Sequence, residues 1–463
     1  MQEPAVTDSQ NEEKKYFNEE VEPLLNTSEM LKIQVGKLQS TLRYFHDHVP
    51  FDRERMDKAG IKPEDINSFD DLARSLPLCG QADYRDVFER FDNDMLKAYD
   101  FLYGEERMKN LHLLTTTSGT TGIPTPYPVF HKTVDAMGEI MGRMGWRAGL
   151  RAGDRLAIGF GLSMHAAGTP ILYYYKKIPG VTIIPIGAEA GTERFLTLLK
   201  LFQVNAITCT PSLALYLAEQ CEKVLGEPIA SLGIEKLLLG AEPGAGIPEI
   251  RERLESDYGA KVIDVGAGYG VSCECPEYQG MHWIADDQCY YELVDPETLE
   301  PVAMEHGATG LAVFTPLEPE ATIYFTNLRY TLNDIHQVFT DPCPCGRSGF
   351  RYKIVGRADD MLKVKGVPIY PAAIQGLING FAPRLTGSFR IVLDREPPLV
   401  IPPLKLKIEY GDGVGEDELP ALEEAVINKM HALLKLRPAI TWLKPNSLER
   451  AVKKTQLFEK NYS

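Results

Sequence analysis

A short stretch rich in hydroxyl groups and glycine, TTTSGTTGIPT, runs from Thr115 to Thr125. Seven of its eleven residues carry a hydroxyl and two are glycine, so backbone N–H groups and hydroxyls can converge on an anion. Such a loop could cradle the β- and γ-phosphates of a nucleotide, and the alternative is an ordinary turn. The stretch has no lysine and does not fit the pattern G-x-x-x-x-G-K-[ST], so a phosphate site here needs a lysine from elsewhere.

Four of the eight cysteines and one histidine form a second group of residues that could do chemistry. Cys275 and His282 are separated by six residues, and Cys343 and Cys345 follow later in the segment PCPCGR. Three thiolates and one imidazole match a closed tetrahedral zinc site, which is structural and not catalytic. Cys273 is a competing ligand, and a plain tight turn at CPCG is the alternative to a metal site.

Short apolar runs alternate with helical patterns between residues 110 and 270. The predicted strands are LAIGF, VTIIPI, NAITCT, EKLLLGAE and AKVIDVGAG, and the predicted helices between them are ERFLTLLKLFQ and PSLALYLAEQCEKVL. This order predicts β-α-β units with a largely parallel sheet and helices on its faces. Ligands of such sheets bind beyond the carboxyl ends of the strands, where the glycine-rich loops TTTSGTTG, GAEPGAG and GAGYGVS lie.

The pattern becomes β-rich from about residue 285, with CYYELVD, TGLAVFT and ATIYFTN, and a smaller unit follows GRADDMLKVKGVPIYP. This unit has predicted strands near SFRIVLD, LKLKIEY and AITWL and a helix from Leu419 to Leu436. We therefore predict an α/β fold in which a large N-terminal domain, residues 1–357, has mostly parallel sheets and a β-rich part. A small α+β C-terminal domain, residues 358–463, follows a boundary near Asp359.

Composition limits the partners that the chain can have. It has 463 residues, 44% of them hydrophobic and 25% charged, which is typical of a soluble globular protein with at least two domains. A net charge of -16 disfavours nucleic acid, whose phosphates an acidic surface repels. The first residues lack the apolar run of a signal peptide, and the longest apolar stretch, LAIGFGLSMHAAGTPILYYY, is interrupted by Pro170 and three glycines. We expect a cytoplasmic protein without a membrane segment.

The hydroxyl-rich loop closely resembles the phosphate loop of the adenylate-forming superfamily, and the chain resembles the phenylacetate-CoA ligase family of aryl-CoA ligases within it. The resemblance covers roughly residues 40 to 458. It rests on segments that occur in family order, namely VPFDRERMDKAGIKPEDINSFDDLARSLP, TTTSGTTGIPT, TCTPSLALYLAE, GAEP, NLRYTLND, PCPCGR and GRADDMLKVKGVPIYP.

The resemblance implies which residues bind ATP. They come mainly from the three glycine-rich loops and are Thr116, Thr117, Ser118, Gly119, Thr120, Thr121, Gly122, Gly240, Ala241, Glu242, Pro243, Tyr269, Gly270 and Ser272. Tyr269 would pack on adenine, and the hydroxyl of Ser272 would meet the α-phosphate. Asp334 would accept both ribose hydroxyls, which suits an ionised carboxylate, and Arg357 would reach the ribose or a phosphate. Asp334 could instead cap a turn, and Arg357 could pair with Asp359.

The missing lysine, by the same resemblance, comes from the C-terminal tail. The segment SLERAVKK, Ser447 to Lys454, resembles the family pattern S-L-x-R-x-x-G-K, so Lys454 falls at the position of the catalytic lysine. Its ammonium group would offset the charge that develops around the α-phosphate in the transition state. Lys453, which stands where glycine is usual, is the alternative, and so is a solvated basic tail.

Two departures from the superfamily pattern affect the predicted site. Ile123 stands where a lysine often follows the glycine loop. In the motif Y-G-x-[ST]-E, the magnesium-binding glutamate is replaced by Cys273, and Glu274 comes one residue later. Glu274 could take over the magnesium ion, or the ion could be held mostly by phosphates and water. Some family members carry a similar cysteine and histidine pattern.

The family analogy puts the acyl pocket near Phe160, His165, Ala241, Gly266 and Ala267, where small residues would leave room for a flat ring. The alternative is that close helix packing requires the small residues. We therefore expect an ATP-dependent acid-CoA ligase for an aromatic or arylacetic acid. The acid attacks the α-phosphate of MgATP to form acyl-AMP and pyrophosphate. The small domain then turns about a hinge at Asp359, and the CoA thiol displaces AMP. Another acceptor thiol, such as a carrier protein, and a non-catalytic relative are the alternatives, and relatives suggest a homodimer.

Overall fold

The computed structural model describes residues 14–116, 126–266, 269–275, 280–321, 326–364, 367–448 and 457–462. The α-helices of these residues are α1 (Ser28–His48), α2 (Pro50–Ala59), α3 (Phe69–Ser75), α4 (Gln81–Arg90), α5 (Met95–Tyr103), α6 (Glu105–Met108), α7 (His131–Arg147), α8 (Ile171–Tyr174), α9 (Thr192–Leu201), α10 (Pro211–Leu225), α11 (Pro248–Tyr258), α12 (Pro371–Asn379) and α13 (Leu419–Leu434). None of these helices combines the length and the hydropathy that a bilayer span needs.

The strands up to residue 357 include those predicted from the apolar runs. They are β1 (Leu111–Thr116), β2 (Pro126–Phe130), β3 (Arg155–Ile158), β4 (Thr182–Ile184), β5 (Ala206–Cys209), β6 (Lys236–Gly240), β7 (Lys261–Gly266), β8 (Gly270–Ser272), β9 (Met281–Trp283), β10 (Cys289–Val294), β11 (Pro301–Val302), β12 (Thr309–Pro316), β13 (Tyr330–Phe339) and β14 (Arg351–Arg357). Most of the predicted strand ATIYFTN lies at 322–325, outside the described residues.

One twelve-stranded sheet organises this part of the chain, in the order β11-β10-β12-β13-β14-β9-β8-β7-β6-β5-β3-β4. Strands β4, β3, β5, β6 and β7 are parallel, as the β-α-β pattern predicts, and the other pairs are antiparallel. The parallel sheet and the β-rich part are therefore halves of one sheet. The pair between β7 and β8, with Val265 opposite Val271, joins the two halves.

The parallel half of the sheet is buried on both faces, which explains its continuous apolar strands. Along β6, Leu237 and Leu239 face a core that also contains side chains of α9, α10 and α11, whereas Leu238 faces the core that contains side chains of α1 and α7. Helix α10 begins directly after β5, because Thr210 accepts a hydrogen bond from the N–H of Leu213 and Pro211 starts the first turn. Each parallel strand thus delivers its carboxyl end to the same edge.

The chain leaves the large sheet after Arg357 and enters two smaller sheets from Leu362 onward. Their strands are β15 (Leu362–Val364), β16 (Val367–Ile369), β17 (Leu385–Leu393), β18 (Leu399–Val400), β19 (Lys405–Tyr410), β20 (Ala439–Leu443) and β21 (Phe458–Lys460). Their orders are β16-β15-β18 and β20-β19-β17-β21, and α12 and α13 pack beside the second sheet. We call residues 14–357 the large domain and 362–462 the small domain, and the exact boundary stays a prediction.

Candidate functional site

Asp334 and Arg357 lie opposite each other on neighbouring strands of the large sheet, β13 and β14. Nη1 of Arg357 donates to Oδ1 of Asp334 at 3.2 Å, and the Asp334 side chain is 16% exposed. The same guanidinium also grips Asp359, with Nε and Nη2 at 2.9 and 2.8 Å from its two carboxylate oxygens. Burial opposes the charge on Arg357, but the hydrogen bond to Asp359 and the charge of Asp334 raise its pKa. The guanidinium therefore connects Asp334 to the predicted hinge residue.

The hydroxyl-rich loop connects β1 to β2, which form a two-stranded antiparallel hairpin. The last residue of β1, Thr116, donates its N–H to the carbonyl of Met164 at 2.6 Å and accepts from the N–H of Ala166 at 3.0 Å. This pairing brings His165 beside Thr116, as expected if both belong to one site. The other predicted residues of the loop, together with Ile123, lie outside the described residues: Thr117, Ser118, Gly119, Thr120, Thr121 and Gly122.

Tyr127 connects the hairpin to the carboxylate and guanidinium pair. It is the second residue of β2, and its carbonyl accepts from the hydroxyl of Thr115 at 2.9 Å. Burial raises the pKa of Tyr127, hydrogen bonds with the side chains of Gln81 and Tyr330 and the positive charge of Arg357 lower it, and the negative charge of Asp334 raises it further. Tyr330 is the first residue of β13, the strand that also carries Asp334. The base of the hydroxyl-rich loop and the Asp334 pair therefore belong to one neighbourhood. Sequence reasoning missed Tyr127, because only strand pairing brings it there.

The segment from Gly240 to Pro243 forms a tight turn at the carboxyl end of β6. Ala241 has a left-handed backbone with φ 68°, and a side chain at Gly240 would lie 2.2 Å from the carbonyl oxygen of Val265. The carboxylate of Glu242 accepts the N–H of Ser212 at 2.8 Å, in the first turn of α10, where a negative charge is favourable. The turn is therefore held by the sheet on one side and by a helix N-terminus on the other.

Tyr269 and Ser272 are buried in this structure. Tyr269 is 3% exposed, and its ring stacks on Trp283 with the ring centres 5.5 Å apart. Ser272 is also 3% exposed, and its hydroxyl accepts from the N–H of Asp264 at 2.9 Å. Gly270 lies between them, and a side chain there would meet the hydroxyl of Tyr352 at 2.2 Å. These three residues build the core next to the site, and their predicted contacts with adenine and phosphate stay predictions.

Gly266 is closely packed in this structure. A Cβ atom there would lie 2.7 Å from Cε of Met281 and 3.0 Å from the hydroxyl of Tyr352, both of which are core residues. Phe160 is buried after β3, and Ala267 lies outside the described residues. These contacts favour close packing, the alternative explanation for a small residue here, and the acyl-pocket role of Gly266 stays a prediction.

The cysteines come together as predicted, but with a different fourth member. The sulfur atoms of Cys273, Cys275, Cys343 and Cys345 all lie within 4.8 Å of one another. The sulfur of Cys343 lies 3.6 Å from that of Cys273 and 3.7 Å from that of Cys275. Four thiolates about 2.3 Å from a central zinc ion would be about 3.8 Å apart in a tetrahedron. The two distances from Cys343 match that spacing, and the four sulfurs are hereafter called the cysteine cluster.

His282 lies beside the cysteine cluster, so the predicted set of Cys275, His282, Cys343 and Cys345 stays a prediction, with Cys273 as the competing ligand. Nδ1 of His282 lies 3.0 Å from the carbonyl oxygen of Ser348, and Nε2 of His282 lies 3.4 Å from the sulfur of Cys345. The hydrogen bond from Cys273 and the neighbouring His282 lower the pKa of Cys345 to about 3, and the bond to Cys345 raises the pKa of Cys273. Cys273 belongs to the cysteine cluster together with Cys275, and the chain bends at Glu274 between them.

Glu274 points away from the cysteine cluster to the surface. Its carboxylate pairs with the ammonium group of Lys261 at 3.0 Å, and its side chain is 62% exposed. With Cys273 in the cysteine cluster and Glu274 in a surface ion pair, neither residue of this motif offers a carboxylate to a nucleotide-bound magnesium ion here. The magnesium role of Glu274 stays a prediction that this arrangement disfavours.

A cleft between the two domains adjoins the turn at the end of β6. Its walls include Glu242 and Pro243 from the large domain and Leu448 and Leu457 from the small domain. Leu448 and Leu457 flank residues 449–456, hereafter the tail. The residues at both ends of the tail therefore line the same cleft as Glu242 and Pro243. Lys453 and Lys454 themselves lie outside the described residues.

Comparisons with known proteins agree with this arrangement. The family described as the AMP-binding enzyme C-terminal domain matches residues 366–460. A crystal structure of 2-hydroxyisobutyryl-CoA ligase in the postadenylation state, in complex with R3-HIB-AMP, is similar with a TM-score of 0.85 and 25% identity, covering 98% of this chain and 94% of that one. The same ligase in the thioesterification state with 2-HIB-AMP and CoA gives a TM-score of 0.68 at 26% identity, covering 97% and 93%. The fold and the site therefore define an AMP-forming ligase.

The amino-acid sequence narrows this class further. The phenylacetate-coenzyme A ligase of Thermus thermophilus is 31% identical over 439 residues, which are 90% of this chain and 93% of that protein. The phenylacetate-coenzyme A ligase of Escherichia coli is 29% identical over 399 residues, 85% of each chain. The chain belongs to the phenylacetate-coenzyme A ligase family.

Proposed function

We propose that this ligase activates an aromatic or arylacetic acid with MgATP, forms an acyl-AMP and pyrophosphate, and transfers the acyl group to CoA with release of AMP. The observation that carries the proposal is the hydrogen-bonded pair of Asp334 and Arg357 on the neighbouring strands β13 and β14. Membership of the phenylacetate-coenzyme A ligase family supports the choice of acid and acceptor.

Asp334 and Arg357 would bind the nucleotide through complementary charges. A carboxylate accepts two hydroxyl hydrogen bonds at once, which matches the two ribose hydroxyls. Arg357 holds Oδ1 of Asp334, so the carboxylate is oriented before the nucleotide arrives. The protein would contribute positioning and charge stabilisation to the attack on the α-phosphate, since the substrates supply the reacting groups.

Lys454 would act in the first half-reaction only. Both ends of its tail line the cleft beside Glu242 and Pro243, which supports delivery of a tail lysine to the nucleotide. An ammonium group there stabilises the negative charge that builds up while phosphorus is under attack. The higher similarity to the postadenylation structure than to the thioesterification structure agrees with this arrangement of the domains.

The second half-reaction would require the small domain to turn about Asp359. In the present arrangement, Arg357 holds Asp359 through two hydrogen bonds, and Lys363 of β15 pairs with Glu297 of the large domain at 2.6 Å. The first contact holds the hinge residue itself, and the second joins the small domain to the large domain. We therefore expect both contacts to change when the small domain rotates. Rotation of the small domain would then give the CoA thiol access to the acyl-AMP.

The cysteine cluster would hold a structural zinc ion. Its sulfur spacing fits a tetrahedral Cys₄ site, and a zinc ion there would tie the end of β8 to the loop that contains Cys343 and Cys345. His282 would contact a ligand and not the metal. The departure of Cys273 from the superfamily motif then reflects a metal site and not a loss of activity. The magnesium ion of MgATP would be held mostly by phosphates and water.

Pyrophosphate exchange with a panel of acids tests this function. Phenylacetate and benzoate should support exchange, and cyclohexylacetate, which has a similar size but no flat ring, is the matched control for the aromatic preference. Addition of CoA should then yield a thioester, and a carrier-protein thiol tests the alternative acceptor. Absence of exchange with every acid, together with intact ATP binding, would favour the non-catalytic relative. Light scattering tests the homodimer that the resemblance implies.

A further inference from the structure

Glu409 is a fully buried carboxylate with no part in the proposed reaction so far. It lies on β19 in the sheet of the small domain, and its relative exposure is 0%. Its Oε2 accepts the backbone N–H of Leu448 at 2.9 Å. An ionised group is costly to bury unless it is well bonded, so a carboxylate at this place indicates a requirement beyond packing.

The path of the chain explains why this contact forms. Leu443, the last residue of β20, lies directly opposite Glu409 on β19. A turn then follows, in which Ser447 donates its N–H to the carbonyl of Lys444 and Asn446 has a left-handed backbone with φ 61°. The turn brings Leu448 back onto the Glu409 carboxylate, immediately before the tail that contains Lys454.

The other end of the tail is held by the same sheet. Strand β21 pairs in parallel with β17, with Phe458 opposite Ile391. Glu459 of β21 also receives two hydrogen bonds from Lys407 of β19, at 2.7 and 2.8 Å. The tail is therefore fastened at both ends, by a buried carboxylate at its start and by a strand at its finish.

We infer that Glu409 is a positioning residue for adenylation, because it fixes the start of the lysine-bearing tail to the sheet of the small domain. The inference rests on the proposed role of the tail lysine. A catalytic group works only when it is held to within about 0.5 Å of its productive position, and a tail with one loose end cannot hold an ammonium group so closely. Thiol transfer, which takes place with the tail turned away, does not need this contact.

The test compares Glu409→Leu, which removes the acceptor, with Glu409→Gln, which keeps an oxygen for the N–H of Leu448. Pyrophosphate exchange reports adenylation, and thioester formation from pre-formed acyl-AMP and CoA reports transfer. We expect Glu409→Leu to slow exchange about tenfold or more and to leave transfer within about twofold, while Glu409→Gln stays close to wild type. Lys405→Met is the matched control on β19, because it breaks the ion pair between Lys405 and Asp394 and leaves the contact between Glu409 and Leu448 in place.

Several results would overturn the inference. Equal losses in both half-reactions would make Glu409 a purely structural residue, and normal exchange in Glu409→Leu would remove it from positioning. Should Glu409→Leu fail to fold, Leu448→Pro removes the N–H donor instead, and normal exchange in that variant has the same meaning. If Lys453→Ala and Lys454→Ala both adenylate normally, the tail lysine and this inference fall together. If Lys454→Ala loses adenylation but Glu409→Leu keeps it, the role of the lysine stands and only the role of Glu409 is overturned.

Discussion

Replacing Asp334 by alanine should weaken ATP binding about a hundredfold. The carboxylate is expected to accept two ribose hydroxyls, and a hydrogen bond to a charged group contributes about 1.5–3 kcal/mol. Asp334 is partly exposed and already shares Oδ1 with Arg357, so the lower end of that range applies to each bond. The expected loss is therefore about 3 kcal/mol in total, which is about a hundredfold in Kd. Isothermal titration of ATP into each variant measures it.

Two further variants separate ribose binding from a general loss of charge or fold. Asp334→Asn keeps one acceptor oxygen and should lose about tenfold, since one charged bond of this strength is removed. Asp360→Asn is the control, because its carboxylate is 3.7 Å from Nε of Arg357 and is not expected at the ribose. Arg357 keeps both hydrogen bonds to Asp359 in every variant, so melting temperatures should change little. An ATP affinity of Asp334→Ala within about twofold of wild type would remove Asp334 from the ribose site.

Metal analysis should find one zinc ion per chain, and changing Cys343 and Cys345 together to serine should lower both the zinc content and the melting temperature. Lys454→Ala should nearly abolish pyrophosphate exchange yet still convert pre-formed acyl-AMP to the CoA thioester, with Lys453→Ala as the control for register. Burial raises the pKa of Asp286 to about 7, above its usual value near 3.9 when unfolded, so its contribution to stability is present at low pH and lost as the pH rises through 7. Asp286→Asn should therefore raise the melting temperature relative to wild type more at pH 8 than at pH 5.

The parallel half of the fold could be predicted because its signals are local. Strand β6 is a short apolar run, and α10 begins with Thr210 and Pro211, which cap and start a helix wherever they stand. Local signals do not report which strands become neighbours across long connections. The joining of both halves into one sheet through β7 and β8 was therefore not predicted. The predicted helix from Leu419 to Leu436 ends earlier, because Lys435 adopts a left-handed backbone.

The candidate site also combines residues that could be predicted from the sequence with contacts that could not. Asp334 and Arg357 were assigned by family motifs, and strand register explains why two residues so far apart in the chain can share a nucleotide. The small size of Gly266 is compatible with space for a substrate and also with close packing against Met281 and Tyr352, which come from other strands. A residue type alone cannot distinguish these two causes, because each demands the absence of a side chain.

A substitution at Cys273 tests why this chain has a cysteine where the superfamily motif has a magnesium-binding glutamate. A magnesium ligand lost by drift should be restored by Cys273→Glu, which would then improve MgATP binding. The structure predicts the opposite outcome, because the sulfur of Cys273 belongs to the cysteine cluster and lies 3.6 Å from that of Cys343. A glutamate is longer and would have to enter this packed cluster, so we expect loss of zinc, a lower melting temperature and no gain in the magnesium dependence of adenylation. His282→Ala, which leaves all four sulfurs in place, should keep the zinc ion. Tighter MgATP binding in Cys273→Glu with the zinc content unchanged would contradict the assignment of Cys273 to the metal cluster.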